Sequence, residues 1–169
     1  KITECMIKLL QEEEPVALHG YTSAAGDLDT RKAIADYING KYSLGAEPQD
    51  IYMTAGAAAS LTISLKSVAC QGEEVIVFTP YFPEYKVFIE NSGAVTVEVP
   101  VDKNDFQIDF DALEDAFSEK TAAVIINSPN NPTGAVLTEE TLKKLGAFLS
   151  EKEQKYDKEI YLISDEPYR

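Results

Sequence analysis

Four short stretches of this chain carry residue types able to hold and activate a small ligand. In "MTAGAAAS" (53–60) a glycine, Gly56, and three alanines follow an apolar stretch. With no bulky side chain there, the N–H groups of a first helical turn would stand open to an anion such as phosphate. Small residues at that point also suit tight helix–sheet packing. "TPYFPEY" (79–85) sets Tyr81, Phe82 and Tyr85 beside an apolar run, where a ring could cover a planar ligand by offset stacking or simply join the core. "INSPNNPTG" (126–134) ends another apolar run in Asn, Pro and Gly, an ordinary connector or a loop that holds a ligand against a strand end. "LISDE" (162–166) ends a third in acid. Asp165 could bind magnesium together with Glu166, face a cationic ring nitrogen, or be an exposed acid.

Other chemistries lack their motifs. The glycine stretch is neither G-x-G-x-x-G nor G-x-x-x-x-G-K-[ST], so dinucleotide and P-loop nucleotide binding lose their main support. His19 is the single histidine; a histidine-rich metal site is excluded and a Ser-His-Asp triad has no supporting motif. Two cysteines, Cys5 and Cys70, make neither a disulfide framework nor a zinc site and read as reduced thiols of a cytoplasmic protein. The formal charge of −14 disfavours nucleic acid and anionic membrane as partners. No apolar run approaches the roughly 20 residues that span a bilayer.

The elements that must position these stretches alternate in period. Helical spacing of apolar residues marks 28–42 (Leu28, Ile34, Tyr37, Ile38, Tyr42), 56–69 (Leu61, Leu65, Val68), about 82–91, and 138–155 (Leu142, Leu145, Phe148, Leu149). A short helix to Phe117 starts at Asp109 or Asp111, and Thr138 caps the last helix. "IYMT" (51–54), "EVIVFT" (74–79), "AVTVEV" (94–99), "TAAVIIN" (121–127) and "IYLISDE" (160–166) read as strands. Strands separated by amphipathic helices predict a three-layer α/β/α fold with a mainly parallel sheet. Ligands of such sheets sit beyond the carboxyl ends of the strands, where all four stretches lie.

Taken in order, these stretches resemble the pyridoxal-phosphate-dependent aminotransferases of class I/II, fold type I. The resemblance runs from "GYTSAAGDLDTRKAIA" to "SDEPY" and is most specific in "SPNNPTG" and "SDEPY". It implies that residues 1–169 are part of the large, cofactor-binding domain of an aspartate-aminotransferase-like enzyme. It further implies that Ala57 and Ala58 hold the phosphate of pyridoxal 5'-phosphate, that Phe82 (or, failing it, Tyr81) stacks on the pyridine ring, and that Asn131 bonds the phenolic oxygen while Asn130 serves the turn. Asp165 would face the pyridine nitrogen and keep it protonated, so that the ring accepts electrons from the substrate carbanion. Tyr168 would be the second donor to the phenolic oxygen, and Tyr21 would reach the phosphate in the other subunit of a homodimer. Arg31 would be structural.

The activity so implied is transamination between an amino acid and a 2-keto acid, in amino acid metabolism. The family's Schiff-base lysine, both anchor and general base, lies beyond the Asp-x-x-Tyr motif, and no lysine follows Asp165 in this sequence. No catalytic lysine is therefore expected within 1–169; the last large-domain strands and the small domain are expected to be absent as well, and the chain alone inactive. A C–S lyase, an amino-acid decarboxylase or a non-catalytic sensor domain would share the same residues. The amino acid substrate is not readable.

Overall fold

A computed structural model of the chain describes residues 1–168, which fall into two compact units, 1–54 and the remainder. The first unit holds helices α1 (Ile2–Glu12), α2 (Pro15–His19) and α3 (Leu28–Tyr42) and a single 3-10 turn at Pro48–Asp50. Asp27 caps α3 by accepting from the Thr30 N–H at 2.8 Å. Arg31 donates to the Pro48 carbonyl at 2.9 Å, a structural role. The α3 face expected to be apolar is largely exposed: of its residues only Ala35 is buried, and Leu28 and Tyr37 are not.

Residues 51–54 are not a strand. A strand needs a neighbouring ladder, and here the Ile51 and Met53 N–H groups bond instead to the carbonyls of Pro48 and Ala25 within the same unit. Helices α1 and α2 were not expected. The signal for α1 is the spacing of Ile2, Met6, Leu9 and Leu10, which share one side of it, although none of them is buried; that for α2 is Pro15 in its first turn.

The second unit runs α4 (Ala57–Val68), β1 (Glu74–Thr79), α5 (Glu84–Ser92), β2 (Val95–Pro100), α6 (Phe110–Ala116), β3 (Thr121–Asn127), α7 (Glu139–Tyr156) and β4 (Tyr161–Asp165). Its strands form one parallel sheet in the order β2-β1-β3-β4. Alternation along the two central strands builds two cores, one on each face. Val75, Val77, Ala123 and Ile125 pack against Leu61 and Leu65 of α4 and Tyr85 and Ile89 of α5. Ile76, Phe78, Val124 and Ile126 pack against Leu113 of α6 and Leu145 and Leu149 of α7. The result is a three-layer α/β/α arrangement.

Local chemistry sets the helix ends. Asp109, not Asp111, caps α6, and Thr138 caps α7 through the Thr141 N–H. Gly93 ends α5 at φ 93°, a left-handed conformation that costs a residue with a Cβ far more. On the α6–α7 face, the Lys152 ammonium is buried against Glu114 and lies over the Phe148 ring at 4.9 Å.

The chain winds in two directions. From β1 it crosses through α5 to β2 on one face; α6 and α7 then carry it across the other face to β3 and β4. The direction reverses between β1 and β3, and the crevice above that pair is where doubly wound sheets bind ligands.

The turn that leads into β1 is tied to the turn that leads into β4. Lys158 donates to Glu73 at 2.6 Å, and the Cys70 N–H donates to the same carboxylate at 2.7 Å. These bonds, the lysine's first, hold the Glu73 carboxyl below its ordinary range. A carboxylate whose pKa is depressed on folding contributes stability that is full above its unfolded value and is lost as pH falls through the folded one. Replacing Glu73 by Gln should therefore lower stability at neutral pH and leave a shallower loss on acidification, below about pH 4.5. Urea denaturation across pH 3–7 checks both.

Candidate cofactor site

The carboxyl ends of β1, β3 and β4 and the amino end of α4 surround a cavity of about 270 Å³. Each of the four stretches picked out by chemistry contributes to its wall. Ala57, Ala58 and Leu61 come from the start of α4, and Phe82, Tyr85 and Phe88 from the turn after β1 and from α5. Asn127 and Asn131 come from the end of β3, and Asp165, Pro167 and Tyr168 from the end of β4.

Helix α4 presents its amino end bare. Gly56 sits at φ 90° with no side-chain cap, and the first turn has no acidic residue. The N–H groups of Ala59 and Ser60 bond back to the Gly56 carbonyl. Those of Ala57 and Ala58 find no acceptor among the described residues. Two backbone donors and the positive end of a helix of 12 residues thus meet the cavity.

The loop after β3 is built to hold one amide in place. Asn130 fastens the turn: its side-chain oxygen accepts from the Thr133 hydroxyl at 2.8 Å and the Thr133 N–H at 3.2 Å, and its carbonyl accepts from the Gly134 N–H at 2.7 Å. The Ser128–Pro129 and Asn131–Pro132 bonds are both cis. The side-chain amide of Asn131 has no hydrogen bond among the described residues and lines the cavity.

Sequence reading missed Asn127. It ends the wholly buried strand β3 and is 7% exposed. Its amide Nδ2 donates to the Asp165 carbonyl at 2.8 Å, and its Oδ1 accepts from the Asn131 N–H at 2.7 Å. The β3–β4 register places Asn127 opposite Asp165, so one buried side chain fixes both candidate ligands. A polar residue closing an apolar run was the available signal.

Asp165 is half-buried, and its Oδ2 accepts from the Tyr85 hydroxyl at 2.5 Å. Burial, then this bond, pushes the Tyr85 phenol well above its ordinary range, so it stays a donor. Glu166 accepts from the Ser164 hydroxyl at 2.8 Å. The described residues contain no cluster of three or more potential metal ligands.

The aromatic wall is Phe82, whose ring meets Tyr85 edge to face at 5.7 Å. Tyr81 lies outside this wall: its hydroxyl donates to Glu98 at 2.7 Å, and burial together with that carboxylate raises its pKa to about 12. Tyr168 stands at the rim, more than half exposed. Tyr21 belongs to the other unit and is fully exposed.

Substituting Asn127 by Ala would strand the Asp165 carbonyl and the Asn131 N–H. A loss of about 2 kcal/mol is expected from two unmade bonds to partly buried groups. Hydrogen exchange gives the specific check: the Asn131 amide should lose its protection while the β3 interior keeps its own.

The whole stretch has relatives. A family model described as "Aminotransferase class I and II" matches residues 2–169. A probable aspartate/prephenate aminotransferase of Aquifex aeolicus is 36% identical over 99% of this chain, which spans 40% of that protein. A (5-formylfuran-3-yl)methyl phosphate transaminase of Methanocaldococcus jannaschii is 36% identical over 88% of the chain, and 35% of that protein is covered. Among solved structures, an aminotransferase of Eubacterium rectale superposes with a TM-score of 0.96 at 48% identity, over 99% of this chain and 42% of its own. The chain thus spans about two-fifths of the length of these relatives.

Proposed function

We propose, for a chain that belongs to the class I and II aminotransferase family, that it forms the cofactor-binding part of an enzyme that moves an amino group between an amino acid and a 2-keto acid through pyridoxal 5'-phosphate. The observation that carries this reading is the convergence of four loops on one cavity with a matched set of groups. These are two open helix-start N–H donors, an unbonded amide, a half-buried carboxylate and an aromatic wall. That donor set suits a phosphorylated, hydroxylated pyridine: an anion, a phenolic oxygen, a ring nitrogen and a flat face each meet a complementary group.

Within this reading the Ala57 and Ala58 N–H groups, with the dipole of α4, hold the phosphate. Asn131 donates to the phenolic oxygen, and Tyr168 is the second donor. Phe82 covers one ring face and excludes water from it. Asp165 holds a proton on the ring nitrogen, because a carboxylate beside that atom stabilises its cationic form. When bound, the cofactor supplies an electron sink for the carbanion left when the substrate loses its Cα proton.

The general base is assigned to a lysine outside residues 1–169, since no lysine lines the cavity among the described residues. Residues 1–169 alone are accordingly inactive in this reading. The Aquifex aeolicus and Methanocaldococcus jannaschii relatives are named for different substrates, and the amino acid used by this protein stays open. The cytoplasm is the proposed location, in keeping with two exposed, unpaired cysteines.

An absorbance titration with pyridoxal phosphate tests the assignment. A visible band abolished by borohydride is expected from the full-length protein and not from residues 1–169. A reducible adduct at one defined site within 1–169 would show the lysine assignment to be wrong. No binding by either form would remove the cofactor itself.

The exposed Tyr21 is proposed to reach the cofactor phosphate of a second copy in a homodimer. Subunits carrying Tyr21→Phe and Asp165→Ala should each be strongly impaired alone. Unfolded and refolded together, they should regain activity, because one site of the mixed dimer then has both native residues. Activity that stays at the level of the separate variants would mean that each site is built from one chain.

A further inference from the structure

Tyr85 is joined to the cavity in two ways that the proposed reaction does not use. Its hydroxyl is bonded to Asp165 at 2.5 Å across 80 residues of sequence, and its ring packs edge to face with Phe82. It is itself almost wholly buried, at 2% exposure, within the core between α4, α5 and the sheet. Tyr81 stacks parallel to it at 6.3 Å, so two aromatic rings pack against it. Helix α5 fixes its backbone one turn after Phe82. A side chain so confined cannot follow a moving carboxylate; the carboxylate must come to it.

The bond decides how Asp165 is presented. Asp165 occupies the last position of β4, and Asn127 already fixes its carbonyl. The remaining freedom is rotation of the carboxylate. The Tyr85 hydroxyl engages Oδ2 and leaves Oδ1 without a protein donor among the described residues. A bond from a buried hydroxyl to a carboxylate belongs to the strong, charge-assisted class. A phenol held in its protonated form by burial and by Asp165 keeps donating throughout the neutral range.

We propose that Tyr85 is a positioning residue: it locks the Asp165 carboxylate so that Oδ1 faces the cationic ring nitrogen of a bound pyridine cofactor, and it props the Phe82 ring against the same ligand. The proposal rests on the cofactor reading given above.

The test separates an action through Asp165 from general support of the fold. The full-length protein is titrated with pyridoxamine phosphate and with its deaza analogue, in which a C–H replaces the ring nitrogen. Both probes bind without the lysine, and only the first can use Asp165. The wild type should prefer the natural probe. Tyr85→Phe keeps the ring and removes only the hydroxyl; it should weaken the natural probe about tenfold and the analogue little, as loss of a charge-assisted bond predicts. In an Asp165→Asn background the same substitution should have almost no effect.

Equal weakening of both probes, or no weakening of either, would overturn the proposal while leaving the cofactor reading intact. A wild type that fails to bind the natural probe would sink the cofactor reading itself. A second measurement needs no substitution. With tyrosine labelled at Cζ with ¹³C, the Tyr85 resonance of the wild type should shift on binding the natural probe and much less on binding the analogue. Equal shifts from both would also overturn the proposal.

Discussion

The amide of Asn127 spans the ends of two parallel strands, and the site is built around it. One side-chain group donates to the Asp165 carbonyl and accepts from the Asn131 N–H. Parallel strands leave the sheet at a common edge, where each backbone group past the last ladder bond needs a new partner. At the end of β3 the buried amide meets that need from one residue. It also removes relative motion between the loop that carries Asn131 and the strand that carries Asp165. The two residues proposed to meet the ring nitrogen and the phenolic oxygen of a hydroxypyridine are thereby tied to one side chain.

The same economy recurs outward from this pair. Tyr85 anchors the Asp165 carboxylate and supports Phe82. Tyr85 is in turn fixed by the core formed between α4, α5 and the sheet. Thus the helix whose bare amino end faces the cavity also packs, through Leu61 and Leu65, on the core that holds Tyr85. Packing and chemistry are coupled through one layer, and α6 and α7 on the opposite face need only cover the sheet.

Charge is distributed in the same spirit. The protein is strongly acidic, with a formal charge of −14, yet it offers an anion two uncapped N–H groups. A backbone cradle attracts phosphate by dipoles fixed at short range, which the net charge of a distant surface changes little because solvent screens it. Asp165 lines the same cavity, where a cationic ring nitrogen would offset it. The cavity thus holds both the positive end of α4 and a carboxylate.

Much of this was legible in order along the chain. The run "TAAVIIN" is wholly buried as β3, because an unbroken apolar stretch suits a central parallel strand covered on both faces. Thr138 and Asp109 cap their helices because their short polar side chains satisfy open N–H groups. Gly56, Asn131 and Asp165 stood out through the stretches that carry them, whose order along the chain resembles the aminotransferases. Residues 51–54 failed as a strand because β-propensity cannot supply a partner ladder. The bond from Tyr85 to Asp165 joins residues 80 apart and has no local signature, and the dual role of Asn127 depends on a register that pairs it with Asp165. The sequence by itself determined the alternation of elements and the chemical types at their ends, since periodicity, capping and turn propensity act over a few residues. Only the tertiary structure decided which of those ends meet and which buried side chains hold them, because strand order and register are settled by packing across the whole sheet.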